Sequence, residues 1–142
     1  MQGAVAKIRG KVLVGPIDLT ISAQGFTILM GPNGAGKTSL LRLMHGLQRL
    51  SAGTLEWNLP LAEVRDRQAF VFQAPIMMRR SVVDCIAYPL MLHGVSKAQA
   101  REQAARLAQD LGLGDLLNQP APVLSGGEKQ KLSLARALIR DP

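Results

Sequence analysis

Short apolar stretches in the first half of the chain have the patterns of β-strands. Residues 17–21 alternate between apolar and polar side chains, the two-residue period of a half-buried strand. Residues 26–30 form a continuous apolar run, typical of a central strand that is buried on both faces, and residues 23–25 predict the turn before it. Two further short strands are predicted at residues 54–57 and 69–73.

Periodic apolar positions and serine caps predict helices in the rest of the chain. Residues 39–45 are helix formers, and they follow a glycine-rich loop. Ser81 predicts the start of a second helix, and Ser96 the start of a third over residues 97–111. Alanines and leucines in the third helix recur at spacings of three and four, so one face is predicted to be buried. A last helix is predicted after residue 125.

Composition narrows the classes of protein that this pattern allows. The 142 residues have the length of one domain, and 4% aromatic residues argue against a stacking platform for nucleic acid. A single cysteine, Cys85, excludes an intramolecular disulfide and a thiolate metal cluster. The net charge of +7 is scattered along the chain and adds only a bias toward anions. Neither a membrane-spanning run nor a signal peptide is evident, so the cytoplasm is the expected compartment.

The strongest chemical signal is the glycine-rich loop between the predicted strand and helix. It matches the pattern G-x-x-x-x-G-K-[ST], in which backbone N–H groups cradle phosphates at a helix N-terminus. Lys37 supplies a mobile positive charge for the β- and γ-phosphates, and the Thr38 hydroxyl can bind Mg²⁺. A chance glycine turn before a helix is the alternative. The motif comprises Gly31, Pro32, Asn33, Gly34, Ala35, Gly36, Lys37 and Thr38.

A second glycine motif, Leu-Ser-Gly-Gly-Glu at residues 124–128, opens the last predicted helix. Its serine and two glycines also offer a hydroxyl and N–H groups to an anion. One nucleotide rarely needs two such sites in one chain. Two chains arranged head to tail, each completing the other's nucleotide site, would use both. The alternative is a serine N-cap followed by a glycine turn.

Together the two motifs resemble those of the ATP-binding subunits of ABC transporters, over nearly the whole chain. The first is similar to the Walker A motif, the second to the signature motif, and residues 129–138 to the helix after it. Gln73 resembles the Q-loop glutamine, which implies that it contacts Mg²⁺ and the attacking water. The resemblance thus implies two catalytic residues, Lys37 and Gln73. The resemblance also implies that Ser39 binds the α-phosphate. The signature would bind ATP held by the partner chain through Ser125, Gly126, Gly127 and Glu128.

The resemblance implies an α/β fold of the P-loop NTPase type. Residues 1–74 would form a β-rich P-loop core, residues 75–122 a helical subdomain, and residues 123–142 the signature motif and its helix. The family pattern continues into a Walker B strand and a catalytic glutamate, but this sequence stops at Pro142. We therefore expect a fragment that lacks its C-terminal strands, exposes residues 26–30 and does not turn over ATP alone.

The resemblance further implies ATP and Mg²⁺ as cofactors and a place at the cytoplasmic face of the plasma membrane. Its expected partners are membrane-spanning permease subunits and a second ATP-binding subunit, with no nucleic acid. Residues 71–94 are similar to those of importers of oxyanions such as tungstate or phosphate. The alternatives are a soluble ABC ATPase that acts on ribosomes or DNA, and a catalytically dead nucleotide-binding fragment.

Overall fold

Two units make up the computed structural model, which describes residues 1–22 and 24–142. The first unit is Met1–Asp66 and the second is Arg67–Pro142. The first combines a small sheet with two helices, whereas the second is helical in its regular structure.

The sheet of the first unit is built on an N-terminal β-hairpin. Strands β1 (Gln2–Ile8) and β2 (Lys11–Ile17) pair antiparallel across a two-residue turn, Arg9 and Gly10. Both turn residues have positive φ angles, 48° and 80°, as in the turns that match the twist of paired strands. Strand β3 (Ala52–Thr54) pairs antiparallel with the other edge of β1, which gives the order β2-β1-β3.

Helix α1 (Lys37–His45) covers this sheet and ends at Gly46, whose αL conformation caps it. Its Leu40 and Leu43 join small side chains of the hairpin in the core of the unit, which comprises Ala4, Ala6, Val14, Leu40 and Leu43. Small residues on the strands let the helix approach the sheet closely. A short helix, α2 (Leu61–Asp66), follows and buries Val64.

The second unit packs three helices around one core. They are α3 (Val82–Leu92), α4 (Lys97–Asp110) and α5 (Gly126–Leu138), with 3₁₀ turns at Gly114–Leu116 and Ala121–Val123. Ser81 and Ser96 cap α3 and α4 as predicted. The predicted face of α4 is confirmed, because its alanines at positions 100, 104 and 108 are fully buried. Within the described residues, no helix has the length and apolarity needed to cross a bilayer.

Two predicted strands are wrong. Residues 26–30 and 69–73 lie outside every helix and strand. A strand requires a neighbour that accepts and donates its backbone hydrogen bonds, and no described segment forms such a ladder with either run. Phe26, Ile28 and Met30 are each more than four-fifths exposed, so the predicted exposure of this apolar run is confirmed.

Two other predicted strands are displaced from the observed ones. The predicted strand at residues 17–21 begins at Ile17, where β2 ends. The strand predicted at 54–57 is observed earlier, at Ala52–Thr54. In both cases the pairing with β1 sets the bounds, and the local pattern does not contain that partner. The predicted turn covers residues 23–25. Its first residue, Ala23, lies outside the described residues, and its last, Gly25, has a φ of +86°.

Candidate nucleotide-binding site

The glycine loop and the first turn of α1 form an exposed set of backbone donors. Residues 31–35 are exposed, and α1 begins at Lys37 directly after Gly36. The first amide with a partner inside the helix is that of Leu40, which donates to the Gly36 carbonyl at 2.8 Å. The three N–H groups before it have no helical carbonyl to reach. No acidic side chain lies in this first turn, so its positive potential is available to an anion.

The Lys37 side chain contacts the beginning of the glycine loop. Its ammonium group donates to the carbonyl oxygens of Gly31 and Pro32, each at 2.8 Å. The loop is itself closed by the Ala35 amide, which donates to the Pro32 carbonyl at 3.3 Å. These contacts hold a full positive charge on the loop that leads into the first helical turn. The loop thus offers a mobile cation and fixed dipoles to the same anion.

Hydroxyl groups follow Lys37 in the same turn. Thr38 is exposed and Ser39 is half-buried. Hydroxyl and amide oxygens suit Mg²⁺, a hard cation that keeps several water and phosphate ligands and needs few from the protein. Thr38 belongs to the first unit and the exposed Gln73 to the second. The described residues contain no group of three His, Cys, Asp or Glu side chains that could hold a metal.

The second glycine motif lies at the start of α5 and is organised by Ser125. The Glu128 amide donates to Ser125 Oγ at 3.4 Å, while Ser125 N–H and Oγ–H both donate to Glu128 Oε2 at 2.7 Å. This reciprocal arrangement is a capping box. The hydrogen bonds from Ser125 hold the pKa of the Glu128 carboxyl below its usual range. Ser125 is thus the N-cap that one alternative predicted, and its second predicted role in binding nucleotide remains a prediction.

The two glycines after Ser125 are not required by the fold of this chain. Gly126 and Gly127 do not need a positive φ, and a Cβ added to either would meet no atom of the described residues within 4 Å. They are the first two residues of α5, directly after its N-cap. Absent side chains here leave the backbone N–H groups open to close approach by a group from outside the chain.

The helix that begins at this motif also holds the segment that contains Gln73. Gln130 Nε2 donates to the Gln73 carbonyl at 2.8 Å, and an Arg136 N–H donates to the Ile76 carbonyl at 2.9 Å. Sequence reasoning missed these contacts, because 57 and 60 residues separate the partners and no local pattern signals them. Gln73 and Ser125 therefore lie on segments that α5 joins directly.

A glycine loop that leads into a helix whose first turn carries a lysine and two hydroxyls is the arrangement typical of P-loops that bind nucleotides. Residues 14–142 match the family model described as ABC transporter, and the chain belongs to this family.

Among its relatives, the tungstate uptake system ATP-binding protein TupC of Peptoclostridium acidaminophilum is 37% identical over 94% of this chain and 63% of that protein. The nickel import ATP-binding protein NikO of Rhodobacter capsulatus is 39% identical, over all of this chain and 61% of that protein. The sn-glycerol-3-phosphate import ATP-binding protein UgpC of Pectobacterium atrosepticum is 34% identical, again over all of this chain, and 42% of that protein is covered. The chain thus spans less than two thirds of the length of these relatives.

A solved structure, that of cbiO1 from Clostridium perfringens, part of the ABC transporter complex cbiONQ, has the same fold. It aligns with a TM-score of 0.81 over 99% of this chain and 61% of that chain, at 22% identity. The predicted α/β fold of the P-loop NTPase type is therefore confirmed.

Proposed function

We propose that this chain is the ATP-binding subunit of an ABC importer. It binds Mg·ATP at the P-loop, Gly31 to Ser39, and a second copy docks head to tail so that its signature, Ser125 to Glu128, completes the site. The family membership and the import ATP-binding proteins among the relatives support this assignment. Because the chain spans only part of those relatives, the activity and the partners are proposed from the residues present.

The observation that carries the proposal is the pair of open glycines at the start of α5. Nothing in the described part of the chain fills the space beside Gly126 and Gly127, and neither needs a glycine conformation. A ligand that approaches the backbone from outside gives both glycines a purpose. Since the P-loop already supplies this chain with a cradle for its own nucleotide, the external ligand at α5 is best explained as the triphosphate held by a second chain.

Each P-loop side chain has a defined part in binding. Lys37 exchanges its two carbonyl partners for β- and γ-phosphate oxygens, the amides of the first turn of α1 donate to the phosphates, and Ser39 binds the α-phosphate. Thr38 and Gln73 would hold the Mg²⁺, which when bound neutralises phosphate charge. The Gln73 amide also orients the attacking water, because it can both donate and accept a hydrogen bond.

We infer that the residues present bind ATP without turning it over. A general base must lie within hydrogen-bond reach of the water that it activates. Two of the acidic side chains already have partners: Asp84 accepts from Ser81 and pairs with Arg101, and Glu128 accepts from Ser125. Stabilisation of charge by Lys37 and the helix dipole remains, but by itself it leaves the water unactivated.

The proposed partners are membrane-spanning permease subunits, which would place the chain at the cytoplasmic face of the membrane. We propose an oxyanion as the transported class, in line with the tungstate and sn-glycerol-3-phosphate systems named among the relatives, whereas the nickel system represents the competing class. Uptake of tungstate, phosphate and nickel by cells whose copy of this chain carries Lys37→Ala separates the two classes. Loss of nickel uptake alone contradicts the oxyanion assignment.

The binding proposal is tested by sedimentation velocity with Mg²⁺ and a non-hydrolysable ATP analogue. We expect the chain to change from monomer to dimer as the analogue is added. Lys37→Ala removes charge-assisted hydrogen bonds, so we expect its nucleotide affinity to fall at least about tenfold. Lys11→Ala, which removes the same charge from an exposed lysine of β2, serves as the matched control. Equal nucleotide affinity of the two variants would refute the assignment of the P-loop.

A further inference from the structure

The hydrogen bonds of Ser125 conflict with its proposed contact to phosphate. Ser125 has two hydrogens that it can donate, one on the backbone nitrogen and one on Oγ. Both are directed at one atom, Glu128 Oε2, at 2.7 Å each. A phosphate oxygen that binds at this motif would accept hydrogen bonds from the same two groups. In the proposed dimer, Glu128 Oε2 and the triphosphate of the second chain would therefore compete for the same two donors.

The two competing acceptors are both anions. An ionised carboxylate accepts stronger hydrogen bonds than a neutral oxygen does, so Ser125 gives up this partner less readily than it would give up an amide. A carboxylate that stays within hydrogen-bond distance of Ser125 also repels the incoming γ-phosphate. The negative charge of Glu128 acts against nucleotide at the signature in both ways.

We propose that Glu128 is a positioning residue that sets the strength of nucleotide-dependent pairing: its carboxylate holds the Ser125 donors and must release at least one of them to the triphosphate of the second chain. This inference rests on the proposed head-to-tail dimer and adds a regulatory element to the same site. The capping box then does more than stabilise α5, because its charge opposes premature closure on the nucleotide.

The variant Glu128→Gln separates charge from shape. Glutamine also completes a capping box, since its amide oxygen accepts from the N-cap, so α5 keeps its start. The negative charge is lost and the remaining acceptor is weaker. We expect the affinity at each signature to rise about tenfold. Because a dimer contains two signatures, the dissociation constant of the nucleotide-bound dimer is expected to fall by up to about a hundredfold.

A matched control removes the same charge from another helix of the second unit. Glu102 lies on the exposed face of α4, where its carboxylate pairs with Arg106 in the next turn, at 3.1 Å. Glu102→Gln changes the net charge of the chain by the same amount, and we expect no gain in pairing from it. Glu128→Asp keeps the charge on a shorter side chain, and we expect pairing no tighter than in the wild-type chain.

The experiment is sedimentation velocity of the wild-type chain and the three variants, with Mg²⁺ and the non-hydrolysable ATP analogue. Tighter pairing of Glu128→Gln alone, with a thermal midpoint close to that of the wild-type chain, supports the inference. If the wild-type chain dimerises with nucleotide and Glu128→Gln dimerises equally or less tightly, the inference is overturned and the proposed function stands. If Glu128→Gln does not fold, pairing of Glu128→Asp that is tighter than wild type overturns it. If the wild-type chain shows no nucleotide-dependent dimer, the proposed function fails with it.

Discussion

Substitution of Gly36 by alanine tests how the P-loop is held on the sheet. Gly36 has a φ of 88°, and a Cβ built on it would lie 2.8 Å from the Leu13 carbonyl oxygen and 3.3 Å from the Val14 side chain. Both neighbours belong to β2, so the added methyl group has to push the loop away from the hairpin or distort a strand. Gly34 is the matched control, because its φ is 84° and a Cβ added there would have no described atom within 4 Å.

The expected magnitudes follow from these two geometries. The left-handed conformation costs an alanine roughly 1–2 kcal/mol at either site, and reduced entropy of the unfolded chain returns about 0.4–1 kcal/mol. These contributions are shared, so they cancel between the two variants. Overpacking against β2 adds a further cost of about 1–3 kcal/mol to Gly36→Ala alone. The difference in free energy of unfolding between the variants is therefore expected to be about 1–3 kcal/mol.

The single tryptophan of the chain, Trp57, lies in the first unit and reports on its unfolding by fluorescence. With a urea dependence of about 1 kcal/mol per molar, the Gly36→Ala midpoint should fall about 1–3 M below that of Gly34→Ala. Coincident midpoints for the two variants would refute the close approach of the loop to β2.

Three further predictions concern the second unit. Gln130→Ala removes the hydrogen bond to the Gln73 carbonyl, so backbone amides of that loop should exchange with deuterium several-fold faster; unchanged exchange would contradict the tether. Leu132→Ala leaves a cavity at a fully buried position and should lower the free energy of unfolding, measured with urea, by about 2–5 kcal/mol. The same substitution at Leu134, which is 40% exposed, should lower it by less than about 1 kcal/mol. Equal losses for the two variants would contradict the described core. Burial raises the pKa of Asp84, but hydrogen bonds from Ser81 and its arginine partner lower it to a net value below 3.8. The ionised Asp84 carboxylate therefore contributes its full stabilisation above pH 3.8, and this is lost as the pH falls through the folded-state pKa. Acid unfolding of Asp84→Asn, followed by circular dichroism, should have a different pH dependence from that of the wild-type chain. The same pH dependence in both would contradict this prediction.

Four of the five helices in the described residues could be predicted because their signals are local, whereas the short helix α2 (Leu61–Asp66) was missed. Ser81, Ser96 and Ser125 each accept a hydrogen bond from the backbone three residues later, and the apolar spacing of three and four follows at once. The serine and its first turn lie within four residues of each other. No information from elsewhere in the chain was needed to place these three helix starts.

The strands could not be predicted in the same way, because their bounds depend on a partner. Residues 26–30 are as apolar as a buried strand, yet they lie outside any ladder of the described residues. The hairpin of β1 and β2 was missed, although the Arg9–Gly10 turn between two apolar runs was a usable signal. The motif residues of the candidate site were found from spacing, whereas the contact of α5 with the Gln73 loop had no local signal.

Mixing two defective chains tests the shared site most directly. Lys37→Ala keeps an intact signature, and Gly127→Arg keeps an intact P-loop but fills the open space beside the backbone of α5. Head-to-tail pairing predicts that neither variant dimerises alone with the non-hydrolysable ATP analogue, whereas an equimolar mixture does, because one of its two sites is complete. If the wild-type chain dimerises but the mixture remains monomeric, or if Gly127→Arg dimerises as well as the wild type, the signature does not complete the nucleotide site of a second chain.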